Sequence, residues 1–160
     1  MLTTGMEAGE IVEGRVKKAA VFGLFCEVGD SEFLVLIPDL SWIASFCSAE
    51  LFAAPGDSIR AKILAVDEES NKVAASVRAM HPDPWKQKVL SKGEIHQGRV
   101  FRHVPCADRC DGKPGYLIEV VPGAFAMLCH WHKPLDIGQE CEVEIIDSFY
   151  EARAVKLRQV

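Results

Sequence analysis

Apolar and polar residues alternate along several short stretches of this chain. Ile59, Ala61 and Ile63 interleave with Ser58, Arg60 and Lys62, and Cys141, Val143 and Ile145 interleave with Glu140, Glu142 and Glu144. A period of two sends one set of side chains to a core and the other to water, the pattern of a half-buried β-strand. In the first half the pattern predicts five strands, near 10–18, 23–29, 33–37, 57–67 and 72–78, each ended by Gly, Pro, Asp or Asn. Ser41 to Ala54 breaks the alternation and holds Ala44, Ala49 and Leu51. A short helix or helical turn is expected there, between the third and fourth strands.

The same pattern then returns. Gly9-Glu10-Ile11-Val12-Glu13-Gly14-Arg15-Val16 recurs as Gly93-Glu94-Ile95-His96-Gln97-Gly98-Arg99-Val100, at an offset of 84. Gly23 to Val28 aligns with Gly115 to Val120 at offset 92, and Gly56 to Ile63 with Gly138 to Ile145 at offset 82. Between them, Phe33 aligns with Phe125 and Leu36 with Leu128. Preserved order with changing loop lengths marks a duplicated unit of roughly 80 residues. The second copy loses residues where the first has its helical stretch and gains eight within Arg102 to Pro114. The expected layout is a first domain over 7–80, a linker over 81–91 and a second domain over 92–158. Pro82 and Pro84 exclude a strand or helix core from the linker, and Trp85 is expected to pack at the junction. Five strands with a helical insert after the third fit the OB-fold barrel, so the fold class is all-β, two tandem five-stranded barrels.

Composition narrows the function. The chain of 160 residues carries 18 Lys and Arg against 23 Asp and Glu, a net charge of −5. Nucleic-acid binders are usually basic, so any such binding must rest on a local patch. No apolar run is long enough to cross a bilayer. Met1 to Gly9 lacks the basic-then-apolar plan of a signal peptide. A cytoplasmic setting with six free thiols is the expectation.

At this point the residues resemble a known family. Gly9 to Val16, Phe22-Gly23-Leu24-Phe25, Pro38-Asp39-Leu40-Ser41, Gly56-Asp57, Val66-Asp67 and Ser76 are similar to the S1 RNA-binding domain, as is the linker-like Asp83-Pro84-Trp85. The likeness covers residues 7 to 85 well and the second copy more weakly. It implies binding of single-stranded RNA on one barrel face. That face carries two aromatics on strand 2, a histidine on strand 3 and a basic residue at strand 5. Phe22 and Phe25 stand at the aromatic positions and Lys72 near the basic one, while Leu36 replaces the histidine.

Exposed aromatic rings stack on unpaired bases. Phe22 and Phe25 are three apart, so a regular strand puts them on opposite faces and one of them in the core. A bulge at Gly23 would turn both outward. Lys17 and Lys18 precede the turn into strand 2 and are candidates for phosphate contact. In the second copy Tyr116 and Leu117 stand in the aromatic neighbourhood, and Glu142 and Glu144 replace Arg60 and Lys62. That acidic face repels phosphate, so the first domain is expected to carry most RNA contact.

Cys106 and Cys110 lie in the insert, and Cys129, His130 and His132 at the end of the third strand. In a barrel these clusters can meet, a potential tetrahedral zinc set, but the spacing is no tight signature and no metal or cofactor is assigned. No phosphate loop, GxSxG elbow or His-Glu-x-x-His helix occurs, so no enzyme is expected. The rival to RNA binding is a protein-interaction module on the same scaffold, motivated by the −5 charge, by Leu36 and by the Glu142/Glu144 face. Trp42 and Phe46 would favour it if exposed.

Overall fold

The computed structural model describes residues 5–160. The chain divides into two compact units. One runs to Ser41 and resumes over Phe46–Pro82; the other comprises Trp42–Ser45 and Asp83–Val160. No helix among the described residues is long and apolar enough to cross a membrane.

The first unit is a closed barrel of β1 (Ile11–Ala19), β2 (Gly23–Val28), β3 (Ser31–Leu36), β4 (Ser58–Asp67) and β5 (Lys72–Ser76). The strands close in the order β1-β2-β3-β5-β4, with β3 and β5 parallel and the other pairs antiparallel. This is the OB plan. In β4, Ile59, Ala61 and Ile63 are buried and Ser58 and Arg60 are exposed, as the alternation requires. Leu24, Val35, Leu40 and Ile63 are almost wholly buried, each stabilising by about 1.5–3 kcal/mol. The segment between β3 and β4 forms only 3-10 turns, Ile37–Asp39 and Ala49–Leu51. Pro38 opens the first. The Ser48 hydroxyl accepts the Glu50 amide and caps the second. Each turn ends after three residues, so the expected helix is reduced to single turns. Phe46 is buried, edge-on to Phe52 at 5.6 Å.

The second unit repeats the plan with β6 (Ile95–Val104), β7 (Gly115–Val121), β8 (Ala124–His130), β9 (Glu140–Phe149) and β10 (Ala154–Gln159), closed as β10-β8-β7-β6-β9. Val100, Tyr116, Ile118, Leu128, Val143, Ile145 and Leu157 fill it, with Ile43, Trp85 and Leu90 packed into the same cluster. The Trp85 indole donates to the Trp42 carbonyl at 2.6 Å and meets Tyr150 edge-on at 5.9 Å. Half-buried Trp42 donates its amide to the Gly123 carbonyl at 2.9 Å.

The repeated glycines have a steric reason. A Cβ on Gly14 would stand 2.6 Å from the Glu27 carbonyl oxygen and 2.9 Å from the Phe33 ring. One on Gly98 would stand 2.5 Å from an Ile118 methyl and 3.0 Å from the Glu119 carbonyl oxygen. β1 and β6 each carry a bulge after the paired valine, at Lys17 and at Phe101.

One alignment shifts. Phe33 pairs with Cys26 and lies inside its barrel. The partner of Ile118, the residue equivalent to Cys26, is Ala126; Phe125 pairs instead with Glu119 on the outer face. The match of Phe33 to Phe125 and of Leu36 to Leu128 is therefore off by one. Phe33 corresponds to Ala126, and Leu36 to Cys129. A slip of one residue moves side chains to the opposite face of a strand.

Candidate nucleic-acid interface

The outer face of the first barrel is built by residues that break the polar side of the alternation. Phe33 and Val35 point inward, so Leu34 and Leu36 on β3 point outward, and Leu36 is 43% exposed. Pairing aligns Phe25 of β2 with Leu34 of β3, Leu34 with Ala74 of β5, and Ala74 with Ala65 of β4. A row of apolar side chains thus crosses four strands, with two alanines as its shallow floor. These residues line a groove of about 550 Å³.

Phe22 lies in the bend before β2 and is 55% exposed. Because it precedes the strand, the period-two rule does not bind it to the inner face. Phe25, half-buried, meets it edge-to-face, with ring centroids 5.7 Å apart. Gly23 carries no bulge. It pairs regularly with Leu36, and a Cβ there would stand 2.7 Å from the Val35 carbonyl oxygen. The irregularity lies across the ladder in β1, at Lys17. It brings Lys18 opposite Phe25, with the Lys18 ammonium 5.8 Å from the ring centroid.

The four residues expected to bind thus differ in setting. Phe22 and Phe25 come together. Lys72 lies at the groove's β5 end. Lys17 points to Glu32 and forms an ion pair at 2.7 Å, which raises its pKa above the usual lysine value, chiefly through that hydrogen bond. A second groove acid is matched as well. Asp39 faces Arg78 at 3.8 Å. Asp67 sits opposite Lys72 in the β4–β5 ladder. Its carboxyl is held below the usual range, first by a hydrogen bond from the Ser70 side chain. The groove is apolar and nearly charge-balanced. Sequence reasoning passed over Leu34 and Ala74. Apolar residues at positions where the alternation calls for polar ones were the available signal.

The second barrel covers the corresponding face. Leu117 stands where Phe25 does, yet is fully buried, and its cross-strand partner Met127 is 8% exposed. The insert after β6 folds onto this face through a 3-10 turn at Asp108–Cys110. Cys110 forms a disulfide with Cys129, at the position of Leu36. Two of the six expected free thiols are therefore joined, and Cys26, Cys47, Cys106 and Cys141 remain free. The insert and the end of the third strand do meet, but as a covalent pin. No group of three or more His, Cys, Asp or Glu side chains suited to a metal occurs among the described residues. On the other side of the face, the Ser45 hydroxyl donates to the Phe125 carbonyl, and Phe101 packs on Phe125 at 4.8 Å. On β9, Glu144 pairs with Arg158, while Glu142 is exposed.

Two closed five-stranded barrels, one displaying an aromatic pair beside an apolar groove, define a tandem OB-fold protein. The first barrel is an S1-type domain: the family "S1 RNA binding domain" matches residues 6–78, and the second is a divergent barrel of the same topology. The small ribosomal subunit protein bS1 of Streptococcus pneumoniae is 28% identical over 156 residues, covering 95% of this chain and 39% of its own length. The 4-hydroxy-3-methylbut-2-enyl diphosphate reductase of Clostridium acetobutylicum is 26% identical over 156 residues, covering 95% of this chain and 24% of its own. The solution structure of GSP13 from Bacillus subtilis aligns with a TM-score of 0.45 and 26% identity, over 58% of this chain and 77% of that one. The chain thus spans two fifths or less of these curated relatives.

Proposed function

We propose that the chain binds single-stranded RNA through the outer face of its first barrel, without catalysis, in translation or RNA processing. The observation that carries this reading is exposed Phe22 edge-to-face with half-buried Phe25 beside an apolar groove, on the barrel matched by the S1 family. Phe22 and Phe25 stack on unpaired bases. Lys18 and Lys72 contact phosphate at the two sides of the pair. Lys17 acts by neutralising Glu32, which would otherwise present a bare carboxylate to the strand. The resemblance to ribosomal proteins supports the setting in translation.

Fluorescence anisotropy with labelled RNAs, single-stranded and duplex, tests the reading on the full chain beside Phe22→Ala and Phe25→Ala. Preference for single strands, weakened by both substitutions, supports it. Absence of binding at low salt overturns it. A second reading, a protein-interaction surface, is favoured by the near charge balance of the groove. The burial of Phe46 removes one of its motives.

A further inference from the structure

We propose that the second unit holds its own site for a nucleotide phosphate, in a cleft between β8, β10 and the disulfide-pinned insert. The cleft encloses about 520 Å³, a size suited to one small ligand. Arg109 and Lys113 from the insert and Lys156 from β10 line it, with Asp111 the only carboxylate among its lining residues. None of the three cations forms an ion pair among the described residues. The groove of the first barrel pairs Glu32 and Asp39 with cations; this cleft keeps an excess of positive charge in a chain whose net charge is −5. Uncompensated cations converging on a concavity favour an anion, and the guanidinium fork suits phosphate oxygens.

The rest of the lining is mainly apolar, with Ser45, whose hydroxyl donates to the Phe125 carbonyl, and His130 as its polar side chains. Met127 and Phe149 belong to it, and Phe149 is 42% exposed. Cations and an exposed aromatic ring lining one cleft fit a phosphate joined to a base.

The insert is held in place before any ligand arrives. The Cys110–Cys129 disulfide ties it to β8. The Ala107 amide donates to the Lys113 carbonyl at 3.0 Å, the Gly112 amide to the Ala107 carbonyl at 2.9 Å, and Asp111 takes a left-handed conformation. Binding then costs little ordering of the loop. The first barrel has no such insert, so the site belongs to the second copy alone. The acidic β9 face does not oppose it, because Glu142 and Glu144 do not line the cleft.

The test is amide NMR of the full, oxidised chain titrated with adenosine 5′-monophosphate, inorganic phosphate and adenosine. Adenosine 5′-monophosphate is expected to shift amides of residues 109–113 and 127–130, and adenosine alone to leave them in place. The double variant Arg109→Ala/Lys156→Ala, at two exposed positions, is expected to weaken binding by about tenfold or more. Phe22→Ala is expected to leave it unchanged. A gain for 5′-phosphorylated over 5′-hydroxyl RNA, lost in the double variant, identifies an RNA end as the ligand. Equal binding of the two RNAs identifies the free nucleotide. Unmoved cleft amides, or shifts that persist at equal concentration in the double variant, overturn the proposal. Phe22→Ala acts on the first barrel only, so failure of the earlier reading is seen separately, as unaffected RNA binding.

Discussion

Salt dependence is the sharpest probe of how the first barrel would hold RNA. Binding of a single strand loses affinity with a logarithmic slope of about −0.7 for each phosphate neutralised. Lys17 is occupied by Glu32 and Arg78 by Asp39, which leaves Lys18 and Lys72 for phosphate. Two contacts give a slope of about −1.4, so raising salt from about 50 to about 250 mM should weaken binding by only about tenfold. Lys18→Ala should reduce the slope by about half. Phe22→Ala should behave differently. Loss of one stacked base costs about 1–3 kcal/mol, or roughly 5- to 150-fold in affinity, at every salt concentration and with the slope unchanged. Phe22 and Phe25 touch edge-to-face, so the double variant should lose less than the product of the two single losses. The assay is anisotropy of a 5′-hydroxyl oligonucleotide over a salt series. A slope steeper than about −3, or one unmoved by Lys18→Ala, would refute the assignment of these cations.

Three further outcomes test the scaffold. Gly14→Ala forces a Cβ toward a backbone carbonyl at 2.6 Å and should cost about 2 kcal/mol, near 10 °C in the first unit's Tm by calorimetry; a change under about 0.5 kcal/mol would contradict the close approach. Burial pushes the Cys26 thiol up to about 12, so above about pH 9 the folded state keeps a proton that the unfolded chain releases. Stability should fall as pH rises through that window, by about 1.4 kcal/mol per unit. Urea unfolding of the parent and of Cys26→Ala should therefore converge between pH 8 and 10, and a constant gap would show that Cys26 is not shielded. Replacing Cys110 and Cys129 with serine removes a link across 19 residues and should lower the stability of the second unit by about 3 kcal/mol; an unchanged thermal transition would show that the insert docks without it.

Much of the architecture was legible because its signals are local. Alternation in Ser58–Lys62 and Glu140–Ile145 marks strands whichever partners they find, and the Gly14 and Gly98 motifs return at matching steps because both barrels press a backbone against β1 or β6. What escaped depended on pairing. Ala124-Phe125-Ala126-Met127-Leu128 is apolar throughout and carries no alternation, so its register could not be read and Phe125 was placed one position away. The bulge was sought at Gly23, the most permissive residue, but ladder geometry sets it across the strand at Lys17. The disulfide was hidden because Cys110 and Cys129 are brought together by the fold and not by spacing. At the candidate site the aromatic pair was visible, whereas the pairing of Glu32 with Lys17 and of Asp39 with Arg78 needed three dimensions.

The double-sided burial of the β7–β8 hairpin bears on the life of the chain before it is folded. Five residues in a row, Ala124–Leu128, are apolar, uncharged and almost wholly buried. Such a window is prone to self-association whenever it is uncovered. A chain whose insert has not yet docked would present part of the outer surface of this hairpin to its neighbours. The segment Pro105–Pro114 is therefore more than a loop that can be trimmed for convenience. Shortening it is expected to yield material that clumps during expression, with the barrel's own fold still encoded.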